Sequence, residues 1–390
     1  MTTEVNFITN QNRRAWLIAA LVVFFGASCA TSNPLEVGGP ASSYDLEELR
    51  VNVHWRLDLT TDRPWQVDPR ELGTPVISSG GDLLVGASDG WVYRIAAHSG
   101  DVKWATPTDG SIDAAANLAS GRVYVGTDTG SLVALSWSDG EELWRFETRG
   151  SVDSTATVSG GRVLFTDSND ILYALDAVTG ELLWDYQRGT PEFFTLKGGG
   201  TPLVIGSVVY SGFADGVLVA LQVDSGDEIW AIHLGDETGE FGDIDLPIIS
   251  DGERLIVASH AGGVYSVERA TGALIWQMDI DNVVGLEAQG SWLFGATSTG
   301  RVFALHAESG QAGWQYRLEE GQSAMGISSA GRYLAVPAAS GPLYLIKTQT
   351  GEPVAMWKPS SGFQHAPVFD ETRGYILSNR GYLYGFGLAF

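Results

Sequence analysis

The chain has a single cysteine, Cys29, among 390 residues. One cysteine excludes an intramolecular disulfide, so packing and strand pairing must hold the fold. Basic residues are also scarce: 23 Lys and Arg stand against 47 Asp and Glu, a formal charge of −24. No basic run offsets that balance, which argues against an electrostatic nucleic-acid binder and disfavours an anionic lipid surface. The chain also lacks an apolar run long enough for a membrane span near its start. The stretch from Ala15 to Phe25 has eleven apolar residues, whereas a spanning helix needs about 20.

That stretch does fit the apolar core of a signal peptide, which takes about 7–15 residues. Arg13 and Arg14 precede it, and Gly26, Ala27 and Ser28 lead into Cys29. The "GASC" sequence resembles a bacterial lipobox, with Gly26 where that pattern prefers a branched aliphatic residue. The resemblance implies acylation of Cys29 and, with Ala30 next rather than Asp, placement in the outer membrane. The alternative is a plain signal peptide beside an unrelated cysteine. Residues 30–48 are polar and rich in Gly, Pro and Ser, the composition of a flexible tether. The expected organisation is a signal peptide over 1–28, an acylated cysteine and tether over 29–49, and one folded domain over 50–390.

The folded part is a repeat. A turn followed by alternating apolar residues recurs eight times, from "SDGWVYRI" at 88–95 to "NRGYLYGF" at 379–386. Glycine in such a turn supplies positive φ cheaply, and the alternation marks a strand with one buried face. From the turn residue (Gly90, Gly130, Asp170, Gly216, Gly262, Gly300) to the next tryptophan is always 14 residues, and only Gly341 to Trp357 differs, at 16. Each unit of about 40 residues reads as four short strands, which is a propeller blade. The eighth unit lacks its tryptophan, and "VNVHWRLDL" around Trp55 supplies the missing outer strand from the other end of the chain. The prediction is an all-β, eight-bladed β-propeller of four-stranded antiparallel blades, its ring closed by the N-terminal strand on the C-terminal blade. Closure is expected to remove exposed sheet edges. The tryptophans at 55, 104, 144, 184, 230, 276, 314 and 357 are expected to wedge blades together rather than to stack ligands.

The pattern A-x-D-x-x-T-G-x-x-x-W of Ala174 to Trp184 resembles the repeat of pyrroloquinoline quinone dehydrogenases, which enzymes and non-enzymes share. In the enzymes, that resemblance implies a calcium-bound quinone, a catalytic Asp and a disulfide of adjacent cysteines, which this chain cannot make. The eight units, the lipobox and "SSGFQHAPV" at 360–368 are similar instead to the BamB family of the outer-membrane β-barrel assembly machine.

Other chemistry finds little support. The six histidines have no metal-pair spacing, "GASDG" at 86–90 is a hairpin rather than a strand-to-helix elbow, and "GDETGEFGDID" at 235–245 lacks calcium-loop spacing. Catalysis and cofactors are therefore not expected. Among the seven connections from Trp104 to Gly381, two depart from the repeat: Trp184 to Gly216 and Trp230 to Gly262 span 32 residues, against 24 to 27 in the other five. Both lie between the outer strand of one blade and the inner strand of the next, so they share one rim. The first carries Phe193, Phe194, Leu196 and Lys197; the second carries Asp236, Glu237, Glu240, Asp243 and Asp245. Apolar anchors flanked by charge suit a protein interface. The alternative is that Phe194 and Leu196 fold inward while the acids are merely solvated. The family resemblance implies that "FFTLKG" and "GDIDLP" dock the periplasmic POTRA domains of BamA, with Lys197 where the family has arginine. It leaves open direct binding of unfolded outer-membrane proteins. The competing readings are a quinoprotein dehydrogenase, and a glycan-binding propeller using Trp65, Trp91 or Trp292.

Overall fold

A computed structural model of the chain describes residues 49–59, 71–188, 200–234, 242–260, 262–359 and 361–389. The signal peptide, Cys29, the tether to residue 48 and Trp65 lie outside the described residues. The strands form eight four-stranded antiparallel sheets arranged as propeller blades. Seven blades run from inner strand A to outer strand D in chain order; blade three, for example, is Thr157–Ser159, Arg162–Thr166, Ile171–Asp176 and Leu182–Gln187. Blade eight takes strands A to C from the C-terminus (Val368–Asp370, Arg373–Leu377, Tyr382–Ala389) and its outer strand, Arg50–Asp58, from the N-terminal side. Arg50 pairs with Ala389 and Asp58 with Tyr382. The eight blades and the closing strand are those read from the sequence.

Two expectations need correction. The middle strands have no solvated face: Val123, Tyr124 and Val125 are all buried, as are Leu132 to Leu135. Each blade is sandwiched between two others, so both faces of its central strands meet protein. Closure also leaves sheet edges in place. The blades join by packing, and the outer strand of each remains an edge, with Leu182, Leu183, Leu274 and Ile275 exposed there.

The core is accordingly divided. Eight apolar clusters each fill one blade–blade junction. The junction of blades eight and one joins Tyr375, Leu377 and Leu383 to Leu83, Val85 and Ile95, with Trp55 and Leu57 against them. The seam where the two ends of the domain meet is therefore built like the other seven.

Each wedge has a specific lock. Within the outer strand a one-residue bulge precedes the tryptophan; in blade three Ala174 pairs with Trp184 and Leu175 with Leu182, skipping Leu183. Such a bulge kinks the strand and re-aims the next side chain. The indole then lies on the C–D turn glycine of the following blade: Trp55 on Gly100, Trp144 on Gly180, Trp314 on Gly351. A Cβ at Gly180 would sit 2.6 Å from the Trp144 ring. The indole nitrogens donate to carbonyls of the following blade, Trp55 to Ala97 at 2.9 Å and Trp184 to Val223 at 3.1 Å. Truncating such a side chain costs roughly 3–5 kcal/mol.

Blade seven departs from this geometry. Leu345 pairs with Ala355 and Ile346 with Pro353, so Ala355 occupies the usual tryptophan place. Trp357 stands two residues further on, which accounts for its longer spacing. It packs on Tyr384 at 5.1 Å and Phe386 at 5.4 Å.

Candidate functional site

One face of the ring carries the D–A connections and the B–C turns. The repeat sets the form of both. In blades one, two and four the D–A connection inserts an aliphatic residue against the glycine that ends strand B: Ile112 on Gly86, Val152 on Gly126 and Ile244 on Gly212. An aspartate follows each of these residues, Asp113, Asp153 and Asp245. Ser111 donates to Asp113 at 2.6 Å and Ser151 to Asp153 at 2.6 Å. The three acids join Asp167, Ser154, Ser168, Thr201 and His365 around a cavity of about 280 Å³. Residues of blades one to five and eight line it, so it lies at the mouth of the central axis. Its negative lining favours cationic groups.

This alignment relocates the acidic pair. Asp245 is half-buried, lines the axial cavity and is the repeat's own aspartate. Asp243 occupies the place of Ser111 and Ser151, and its side chain is only 2% exposed. Its backbone carbonyl accepts the His260 N–H at 3.0 Å. The D-x-D pair therefore spans one buried and one half-buried carboxylate around the fully buried Ile244. Phe193, Phe194, Leu196 and Lys197, and with them Asp236, Glu237 and Glu240, lie outside the described residues.

The described ends of both long connections converge on the B–C turn of blade four. That turn closes through Gly216 N–H to Phe213 O at 3.1 Å, with Gly216 at φ +77°. Before the first connection, Arg188 donates to Asp215 at 2.9 Å; after it, Gly200 N–H reaches Gly212 O at 3.2 Å. Before the second, Leu234 N–H reaches Gly216 O at 2.8 Å; after it, Ile244 N–H reaches Phe213 O at 3.2 Å. Four residues, Gly212, Phe213, Asp215 and Gly216, thus seat all four ends.

Blade three adds a further contact to this seat. Its turn residue is Asp170 where blades one, two and four have glycine, and it keeps the left-handed conformation at φ +63°. Both of its carboxylate oxygens accept the Ala214 N–H, at 2.9 and 3.2 Å. Burial raises its pKa to about 7; the Ala214 bond opposes the shift, and the charges of Asp215, Asp243 and Asp167 add to it. In sequence, Asp170 showed only as the one non-glycine in a series of turn residues. Gly341 also departs from the turn pattern: it has no positive φ, and a Cβ there would run into Gln322. In blade five the left-handed residue is Gly263, one place after the expected glycine.

The residues present do not fit a calcium–quinone centre. With one cysteine there is no disulfide to pack on the quinone. Among the described residues, no group of three or more His, Cys, Asp or Glu is placed to hold a metal ion. Of the aromatic candidates, Trp91 is half-buried at the start of a strand and Trp292 is 39% exposed, edge-on to His306 at 5.8 Å.

Comparison with known proteins bears on these alternatives. A family profile described as outer membrane protein assembly factor BamB matches residues 88–316 and 299–387. The chain is 31% identical over 94% of its length to the protein of that name from Taylorella asinigenitalis, covering 96% of it. The corresponding Legionella pneumophila protein is 29% identical over 48% of the chain, and the match spans only half of that relative's length. Among solved structures, BamB from Moraxella catarrhalis superposes with a TM-score of 0.75 over 87% of the chain and all of that protein, at 20% identity. A quinohemoprotein alcohol dehydrogenase from Pseudomonas putida shares the fold, with a TM-score of 0.69 over 86% of the chain and 76% of that protein, at 15% identity. Profile and full-length relative agree, and the chain belongs to the BamB family of outer membrane protein assembly factors.

Proposed function

We propose that the protein is a non-catalytic lipoprotein scaffold of the outer-membrane assembly machinery, held at the periplasmic face of the outer membrane by acylated Cys29. It docks on the periplasmic POTRA domains of BamA and so assists the insertion of outer-membrane proteins. The observation that carries this reading is the seating of both overlong connections on one turn of blade four. Two departures from a regular repeat have their described ends on a single support, and loops held on a rigid scaffold are where function concentrates. Family membership supplies the kind of partner.

The chain direction agrees with this arrangement. Strand Arg50–Asp58 begins beside Ala389 and ends beside Tyr382, next to the B–C turn of blade eight. The polypeptide therefore enters the ring at the rim opposite the described ends of the long connections.

The test is a pull-down of BamA periplasmic domains by the wild-type protein and by a folded Leu196→Glu/Asp245→Arg variant. Asp245 is the residue to change, because a charge reversal at buried Asp243 would disturb the fold itself. The reading expects binding to fall at least tenfold; undiminished binding by the folded variant would refute it. A quinoprotein dehydrogenase would instead gain thermal stability from calcium and pyrroloquinoline quinone and would reduce dye.

A further inference from the structure

In every blade the second residue of the B–C turn offers its N–H to an acceptor that holds the turn against the ring. In blades two, three and five to eight the acceptor is a backbone carbonyl of the D–A connection entering the same blade. Examples are Asp128 N–H to Ser111 O at 3.0 Å and Asn379 N–H to Gly362 O at 2.9 Å. Blade one uses a side chain of its own connection: Glu71 accepts the Ser88 N–H at 2.9 Å and the Ser88 hydroxyl at 2.8 Å. Blade four alone is held from another blade. Its Ala214 N–H donates to the carboxyl oxygens of Asp170, in the B–C turn of blade three, at 2.9 and 3.2 Å.

In blades two, three, five and eight the accepting carbonyl lies six residues before strand A. The same count in blade four falls on Lys197, in the first long connection and outside the described residues. The change of acceptor thus coincides with the first overlong connection. It is also a costly change. None of the other seven blades has an acid at the turn position, a non-glycine residue in the left-handed region is disfavoured, and this carboxyl is only 5% exposed. A local rule broken at a cost usually marks a functional feature. The turn that presents Asp170 is itself braced: Asp167 accepts the Asn169 and Ile171 N–H groups at 3.0 and 3.1 Å, and the Asp170 N–H reaches Asp167 O at 3.0 Å. On the other side Ala214 is buried, so its N–H requires a partner within the protein.

We infer that Asp170 is a positioning residue for partner docking: from blade three it fixes the turn of blade four on which the described ends of both long connections rest. The inference builds on the docking function proposed above. Gly212, Phe213, Asp215 and Gly216 hold those ends, and Ala214 stands among them. A turn held by its own connection would shift with that connection when a partner engages it. A turn held by the neighbouring blade stays in place. Asp170 acts in this role through Ala214 and touches no partner itself.

Asp170→Gly removes the acceptor and restores the residue that the sister turns carry, so the fold is kept. Asp170→Asn retains an acceptor oxygen and tolerates the left-handed conformation. Glu71→Ala removes the corresponding hold in blade one and controls for general loosening. Hydrogen exchange of the full-length protein, followed on a peptide covering 212–217, reads the turn with no partner present. A buried N–H that loses its acceptor should exchange about tenfold faster in Asp170→Gly, with Asp170→Asn near wild type. Titration with purified BamA periplasmic domains then reads docking. Because the turn must be re-ordered on binding, affinity should fall about three- to tenfold in Asp170→Gly and stay at the wild-type level in Asp170→Asn and Glu71→Ala. Exchange unchanged by Asp170→Gly, a loosened turn with undiminished binding, or an equal loss in Glu71→Ala would overturn the positioning role alone. Absence of binding by wild type would refute the docking function and the positioning role with it.

Discussion

Gly180→Ala isolates the lock between blades, because a matched control lies in the same blade. Gly180 and Gly161 are both left-handed, at φ +74° and +79°, so alanine meets the same backbone strain at either place. That strain is about 1 kcal/mol. Beyond it the sites differ. A Cβ at Gly161 has nothing within 4 Å, whereas at Gly180 it lies 2.6 Å from the Trp144 indole. The ring cannot simply withdraw, because its nitrogen is bonded to the Ala177 carbonyl at 3.3 Å and its face packs near Tyr124 at 5.8 Å. Overpacking of this kind costs about 1–3 kcal/mol. Gly180→Ala should therefore lose about 2–4 kcal/mol and Gly161→Ala about 1 kcal/mol. Urea unfolding followed by tryptophan fluorescence measures both, with unchanged m-values required for the comparison. Adding Trp144→Leu should make Gly180→Ala nearly as mild as the control. Equal loss in the two single variants would refute the lock.

Asp170 should make the protein sensitive to pH in an unusual direction. Its folded pKa is raised, so its contribution favours the folded state most at acid pH, and this is lost as pH climbs from the unfolded carboxyl value toward about 7. Wild type should lose about 2–3 kcal/mol between pH 5 and 8 relative to Asp170→Asn, read from urea midpoints at each pH. Asp82 should behave oppositely. Burial opposes its ionisation, but Lys103 at 2.6 Å and Arg94 at 2.7 Å hold its pKa below the usual value. Its contribution is present above pH 4 and lost as pH falls through its lowered folded pKa. Asp82→Asn should cost about 1–2 kcal/mol at pH 7, the Lys103 pair being discounted because that side chain is 44% exposed. Cys29→Ala should move the protein from the membrane to the soluble periplasmic fraction on fractionation; retention in the membrane would count against the lipid anchor.

The blade count was legible in sequence because spacing within the repeat is nearly constant, and constant spacing demands constant geometry. The closing strand was legible for a related reason: a unit lacking its tryptophan at one end matched a lone Trp55 at the other. What reached across blades was hidden. Wedging between blades was expected but its target was not: outside blade seven, each indole docks on the C–D turn glycine of the next blade. The slip at Trp357 appeared only as a spacing of 16, and its meaning needed the pairing of Leu345 with Ala355.

The candidate site was half legible. Extra length at residues 189–199 and 235–241 could be counted, but their common seat on Gly212–Gly216 could not. Asp243 read as an exposed acid because it stands in an acidic run. Setting "SIDA", "SVDS" and "DIDL" side by side would have placed Ile244 in the plug position and Asp243 beneath the surface. Asp170 stood out as a missing glycine, but its bond to Ala214 spans 44 residues of sequence.

The proposed docking of BamA on the two long connections, whose described ends share one turn, is open to direct measurement. Titrating purified BamA periplasmic domains into wild type and into Leu196→Glu/Asp245→Arg, with circular dichroism confirming equal folding, tests it most directly. Wild type should bind saturably, and the variant should associate at least tenfold more weakly. Equal affinities, or no association by wild type, would contradict it.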